Sequence, residues 1–188
     1  MITFLTEENN PFSQNFYDSC INSLQFHRLS CSCGHSGCLG IHGYYQRKVK
    51  TQNGSFLLVV CRVRCSVCGK THAILPSSLV PYSQIPLVCC CQVISSLSTG
   101  GDINSVCEDY PEVDENNVKS ILRRYRRYWK ERLLSHRIGL APVRNLILAC
   151  FSHYSVQFMQ IHRIYENSAY NSITHTPITQ TIPKTVIR

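Results

Sequence analysis

Phe56-Leu57-Leu58-Val59-Val60-Cys61-Arg62-Val63-Arg64-Cys65-Ser66-Val67-Cys68-Gly69 is a β-branched, apolar run that ends in a Cys-x-x-Cys-Gly knuckle. The run reads as a strand. Just before it lies Thr51-Gln52-Asn53-Gly54, where Asn-Gly is a hairpin signal because both residues tolerate positive φ. Before that turn, His42 to Lys50 is tyrosine-rich and reads as the partner strand, and Thr71 to Leu75 can form a third strand before Pro76. Upstream of the hairpin stands a second cysteine cluster, Cys31-Ser32-Cys33-Gly34 with Cys38. Cysteines therefore sit at both ends of one predicted hairpin.

Zinc favours four thiolate or imidazole ligands in a tetrahedron, and a hairpin brings two such clusters together. The 31 residues between Cys33 and Cys65 suit two strands of about ten residues with their turns. The glycines after the knuckle cysteines suit tight turns whose amides face sulfur. Candidate ligands are Cys31, Cys33, Cys38, Cys65 and Cys68. The spacing leaves open which four of these five bind. His35 is a weaker candidate, and His42 and His72 read as ordinary strand histidines. The site reads as structural, because no His/Glu pair with water-activating spacing accompanies it. Cys89-Cys90-Cys91 falls on a predicted helix, where three adjacent residues face different directions and cannot share one ion. Cys20, Cys61, Cys107 and Cys150 read as small core residues.

Beyond the ribbon the chain turns helical. Ser83 can cap a helix from about Gln84 to Ser98, stopped by Gly100-Gly101. Asp102 can cap a short helix through Cys107, and Asp114-Glu115 opens a third at the favourable end of its dipole. In that third helix Val118, Ile121, Leu122, Tyr125, Tyr128, Trp129 and Leu133 make one apolar stripe. Residues 119–137 carry Lys119, Arg123, Arg124, Arg126, Arg127, Lys130, Arg132 and Arg137 against one acid, Glu131. These are eight of the chain's 19 basic residues, so a long basic helix whose face would release counterions from a phosphate backbone is expected. Helix, short helix, turn and long basic helix is the order of a helix-turn-helix unit, whose second helix reads base edges from its front. The expected contact residues are Asn117, Lys119, Arg123, Arg124, Arg126, Arg127 and Lys130.

These readings divide the chain into an N-terminal segment (1–30) without strong periodicity and a three-stranded zinc ribbon (31–81). A helix-turn-helix bundle (82–137), an apolar helical extension (138–166) and a disordered tail (167–188) follow. The fold class is α+β.

The 188 residues carry a net charge of +8, with a pI near 9.0, so a polyanion is the first partner to consider. The first ten residues lack a basic region followed by an apolar one, and Ile85 to Leu97 is too short and interrupted to span a bilayer. Reduced cysteines in a cytoplasmic protein are expected, with no membrane and no small-molecule substrate. A two-fold dimer is the ordinary expectation for a helix-turn-helix reader, although no zipper is visible.

The stretches Cys31-x-Cys33-Gly34, Ile41-His42-Gly43-Tyr44-Tyr45-Gln46-Arg47 and Val63 to Pro76 resemble the zinc-binding head of bacterial insertion-sequence transposases. The closer resemblance, over about residues 28–165, is to short bacterial proteins related to those heads, which continue through Val80-Pro81-Tyr82-Ser83-Gln84-Ile85-Pro86 into a helix-turn-helix. The first knuckle departs from the family, being Cys-x-Cys where its relatives carry Cys-x-x-Cys. The resemblance implies bound Zn2+, double-stranded DNA as partner and an association with mobile elements. It does not supply an activity. Strand transfer needs carboxylates holding two metal ions, and after Glu131 the sequence has one acid, Glu166. No catalytic residue is therefore expected, and the chain reads as an accessory, regulatory or truncated mobile-element protein. The alternatives are a zinc-ribbon module that binds a protein or structured RNA, and a thiol enzyme using Cys65 or Cys68.

Overall fold

The hairpin forms where its sequence places it. In the computed structural model, which describes residues 1–6 and 13–161, β2 (Leu39–Thr51) and β3 (Gly54–Cys65) pair antiparallel from Leu39↔Cys65 to Thr51↔Gly54. Gln52 and Asn53 make the turn. Gly54 alone of the Asn-Gly pair takes positive φ, at +113°, and the Thr51 hydroxyl donates to the Gly54 carbonyl at 3.0 Å. β4 (Thr71–Pro76) pairs with the base of β3 over Arg62↔Ala73 to Arg64↔Thr71.

The sheet has four strands, not three. β1 (Ile2–Phe4) lies parallel to β4 on its outer edge, giving the order β1-β4-β3-β2. Residues 1–30 are accordingly no separate segment, since α1 (Gln14–Ser23) also belongs to the sheet's core. Beyond Arg62, β3 has no strand partner on the β4 side among the described residues, and α1 fills the gap. The Gln14 side chain accepts from the Val59 amide (2.8 Å) and donates to its carbonyl (3.3 Å). The buried Tyr17 hydroxyl accepts from Cys61 N–H (2.8 Å) and donates to the Ile74 carbonyl (2.9 Å). Backbone groups that a longer β4 would satisfy are thus satisfied by two side chains, as buried polar groups require. Along β3, Leu58 and Val60 are buried on one face, then Cys61, Val63 and Cys65 on the other. The adjacent buried pair Val60-Cys61 marks where the covered face changes.

The helical half begins later than expected. The chain passes through turns at Ser77-Ser78 and Pro81-Tyr82 before reaching Pro86, held by a Leu79–Pro86 bridge and by the Lys50 amide donating to the Gln84 carbonyl at 2.9 Å. α2 then runs Leu87–Ser98, with Pro86 as its cap residue in place of Ser83. Proline at a helix entrance forfeits no intrahelical bond, which explains the later start. α2 buries Leu87, Cys89, Cys90, Cys91, Val93 and Ile94, and it is the central helix of its half. α3 (Ile103–Asp109) is capped by Asp102, and α4 (Glu115–Tyr128) by Asp114 in a reciprocal box with Asn117.

The long basic helix divides. Helical geometry lapses at Trp129 (φ −125°, ψ −32°), and α5 (Lys130–Ser135) is a separate short helix. Tertiary demand accounts for the break. Trp129 is fully buried, its indole N–H donates to the Gln160 carbonyl (3.2 Å), and its ring meets Phe158 edge-on at 5.3 Å. α6 (Val143–Tyr154) supplies Leu146, Ile147, Cys150 and Phe151 to the same core. The described residues therefore form a mixed α+β fold with a four-stranded sheet and six α-helices. Its two hydrophobic cores meet at Leu79 and Val80. The expected tail, 167–188, lies outside the described residues.

Candidate metal centre and basic face

Two tight turns converge at the base of the hairpin. The first holds Cys31 and Cys33 ahead of β2, and the Gly34 amide donates to the Cys31 carbonyl (2.9 Å) with Gly34 at φ +89°. The second joins β3 to β4, and the Gly69 amide donates to the Cys65 carbonyl (3.0 Å) with Gly69 at φ +72°. Both glycines occupy the left-handed region that side chains disfavour. Across the gap, Cys31 and Cys68 Sγ lie 3.5 Å apart and Cys33 and Cys65 Sγ 3.8 Å apart. All four sulfurs lie within 4.8 Å of one another, and these cysteines form no disulfide. A tetrahedral ion with bonds of about 2.3 Å needs sulfurs about 3.8 Å apart. The four thiols lie close enough together to hold a metal ion.

The electrostatics favour a cation. The Cys68 amide points at Cys65 Sγ (3.4 Å), and this bond above all lowers the Cys65 thiol to about 6. The His35 amide lowers Cys33. Burial raises Cys31. The Lys70 amide pulls Cys68 down, but burial and the neighbouring thiols prevail and push it to about 11. A divalent ion bound there would displace the thiol protons.

Of the five expected ligands, Cys38 is the one left out. Its sulfur is 3.3 Å from Cys65 Sγ, but its thiol donates to the His35 carbonyl at 3.2 Å. His72, read from the sequence as an ordinary strand residue, stands against the site. It is buried, with Nε2 3.2 Å from Cys31 Sγ. Burial holds its pKa down to about 4, so a neutral ring is available to hydrogen-bond that sulfur from outside the ligand set. Strand alternation with the buried Ile74 was the signal that could have placed it. His35 Nδ1 lies 3.5 Å from Cys33 Sγ, and His42 is exposed.

On the helical side, Lys119, Arg123, Arg126 and Arg127 are exposed along α4, around a shallow hollow of about 570 Å³ floored by Ile103 and Leu122. Lys130 is exposed at the start of α5. Lys119 also pairs with Glu115 one turn earlier, at 2.6 Å. Two expected contact residues are engaged within the fold. Asn117 closes the α4 cap and accepts from Lys50 Nζ at 2.9 Å. Arg124 is half-buried and donates to the Pro81 carbonyl at 3.2 Å. A charge feature of the whole first half adds to the basic face, since no Asp or Glu occurs from Ser19 to Gly101 while seven Lys and Arg do.

A family described as a domain of unknown function, DUF6431, matches residues 30–125, just over half of the chain. The chain belongs to the DUF6431 family. The DUF6431 region includes all four clustered cysteines, the 80–86 connection and α4 as far as Tyr125, and leaves β1, α1, α5 and α6 outside it. No curated protein and no solved structure matches the chain. Among the described residues no helix is long and apolar enough to cross a membrane.

Proposed function

We propose that the protein is a zinc-ribbon DNA-binding protein, transposase-like in its head but without a catalytic domain, that serves an accessory, regulatory or truncated mobile-element role. The observation that carries this reading is the exposed row Lys119, Arg123, Arg126 and Arg127 on α4, the helix that follows the α3–turn unit. Four cationic side chains on one helix face release counterions when they meet a phosphate backbone. The α3–turn–α4 order is that of a helix-turn-helix, and α4 is its reading helix. Cys31, Cys33, Cys65 and Cys68 hold the ion. An all-thiolate tetrahedral donor set favours zinc over harder divalent ions, and four protein ligands leave no open position for catalysis. Zinc there acts as a clamp that fixes both turns at the base of the hairpin. What supports a mobile-element role is the sequence resemblance alone.

The test is binding of zinc-loaded protein to a labelled duplex across a salt series, beside an Arg123→Ala/Arg126→Ala/Arg127→Ala variant. The expected result is affinity that falls steeply with salt, with a log–log slope about three lower in magnitude for the variant, roughly one for each phosphate contact removed. Absence of binding at low salt by the folded, zinc-loaded protein would reject the reading, and capture of a protein or a structured RNA in its place would favour the ribbon as an interaction module.

A further inference from the structure

We infer that Tyr82 is a DNA-contacting side chain that stacks on an unpaired base, received in the hollow beside the hairpin. This rests on the DNA-binding reading above and adds a substrate feature to it, a duplex with a single-stranded extension.

Tyr82 sits in a turn that would suit glycine better. The Ser83 amide donates to the Val80 carbonyl at 3.1 Å, with Pro81 and Tyr82 as the central residues and Tyr82 at φ +57°. Proline followed by a positive φ is the type II pattern, in which the second central position is normally Gly or Asn. A β-turn of this kind is not free to relax here. Arg47 donates to the Val80 and Ser83 carbonyls, Arg124 donates to the Pro81 carbonyl, and the Lys50 amide holds Gln84. Three basic residues from two elements thus pin a turn whose tyrosine is strained. Strain in the backbone is ordinarily offset by what the side chain buries, but Tyr82 is 83% exposed. Among the described residues nothing covers this ring. A large, rigid aromatic group held in solvent by a pinned turn suits recognition of a ligand.

Its surroundings say what that something is. Tyr82 forms the ridge between two hollows. On one side a basin of about 520 Å³ is lined by Tyr45, Lys48 and Arg62 of the hairpin. On the other a crevice of about 170 Å³ reaches Asn117 and Ser120 of α4. Lys48 and Arg62 are exposed, and the whole stretch from Ser19 to Gly101 offers no carboxylate to repel a phosphate. An aromatic platform beside a cationic hollow is the arrangement that binds single-stranded nucleic acid, the backbone following the charge and a base lying on the ring. A duplex held at α4 would pass its unpaired end over Tyr82 into the basin.

The experiment compares a blunt duplex with the same duplex carrying a short single-stranded tail that contains 2-aminopurine. The zinc-loaded wild type, Tyr82→Gly, Tyr82→Phe and the triple arginine variant are titrated against each. Tyr82→Gly relieves the positive φ, so its urea midpoint should equal or exceed the wild type's, and Tyr82→Asn serves as a second variant tolerant of that conformation. The expected result is wild-type preference for the tailed duplex with quenching of 2-aminopurine, an approximately tenfold loss for Tyr82→Gly on the tailed duplex only, and retention by Tyr82→Phe. Equal binding of both duplexes by the wild type, or tailed-duplex affinity unchanged in Tyr82→Gly and Tyr82→Asn, overturns the inference while duplex binding lost in the arginine variant keeps the broader reading. Failure of the wild type to bind either duplex overturns both.

Discussion

Asp114 ties the two halves of the molecule through a single carboxylate. It caps α4 by accepting from the Asn117 amide (2.8 Å), and it receives Lys50 Nζ from the hairpin at 3.0 Å. The Asn117 amide first, and Lys50 second, hold its carboxyl below the ordinary value of 3.8. A carboxylate whose pKa is depressed by folding stabilises the fold fully above its unfolded value, and the contribution is lost as pH falls through the lower folded value. Asp114→Ala should cost about 1 kcal/mol at pH 7, the usual worth of such a cap. Asp114→Asn should cost no more than about 0.5 kcal/mol, because asparagine caps as well and only an exposed ion pair is lost. Urea unfolding at pH 7 and again near pH 3 checks this, with the gap between wild type and Asp114→Ala shrinking at the lower pH. A gap that stayed constant or widened in acid would show that the charge of Asp114 does not matter to the cap.

At the scale of elements, the two glycine-bearing turns are parts of one clamp. Each contributes a thiol with a lowered pKa and one with a raised pKa, and each supplies two of the four clustered sulfurs. Loading of the four-cysteine cluster with Co(II) reads the donor set from its thiolate absorption. Cys38→Ser should keep the full four-thiolate spectrum, whereas Cys33→Ser or Cys65→Ser should lose about a quarter of the charge-transfer intensity and bind more weakly. A Cys38→Ser variant with the weaker spectrum would put Cys38 in the ligand set. Much of this element was legible beforehand, because glycine after cysteine, an Asn-Gly turn and β-branched runs are local signals. What escaped the sequence was tertiary in origin. β1 is three residues long and shows no period, and α1 is defined less by an apolar stripe than by Gln14 and Tyr17, which complete a strand edge 45 and 44 residues away. No glycine or proline announces the break at Trp129, which follows from what its indole must reach. Asn117 and Arg124 fit a basic, polar helix face, but Lys50 and the Pro81 carbonyl engage them first.

Across the described residues, a buried side chain ties three segments from both cores together. Gln157 lies past α6 and is fully buried, yet its amide donates to the Ser77 (2.9 Å) and Leu79 (2.7 Å) carbonyls. Its carbonyl accepts from the Thr3 hydroxyl of β1 at 3.2 Å. The segment after β4, the N-terminal strand and the C-terminal end of the helical half thus share one amide. Truncation to alanine would strand two carbonyls and a hydroxyl without water, and buried polar groups left unpaired cost about 1–3 kcal/mol each. Gln157→Ala should therefore lower stability by about 3 kcal/mol and, more tellingly, uncouple the cores. The chain's one tryptophan, Trp129, reports on the helical core, and Co(II)–thiolate absorption reports on the cysteine cluster at the base of the hairpin. In the wild type the two signals should change together along a urea gradient, as one cooperative unit requires. In Gln157→Ala the Trp129 transition should move to lower urea and separate from the cobalt transition. Coincident transitions in the variant would mean that the Arg47, Lys50 and Arg124 contacts suffice to join the halves without Gln157.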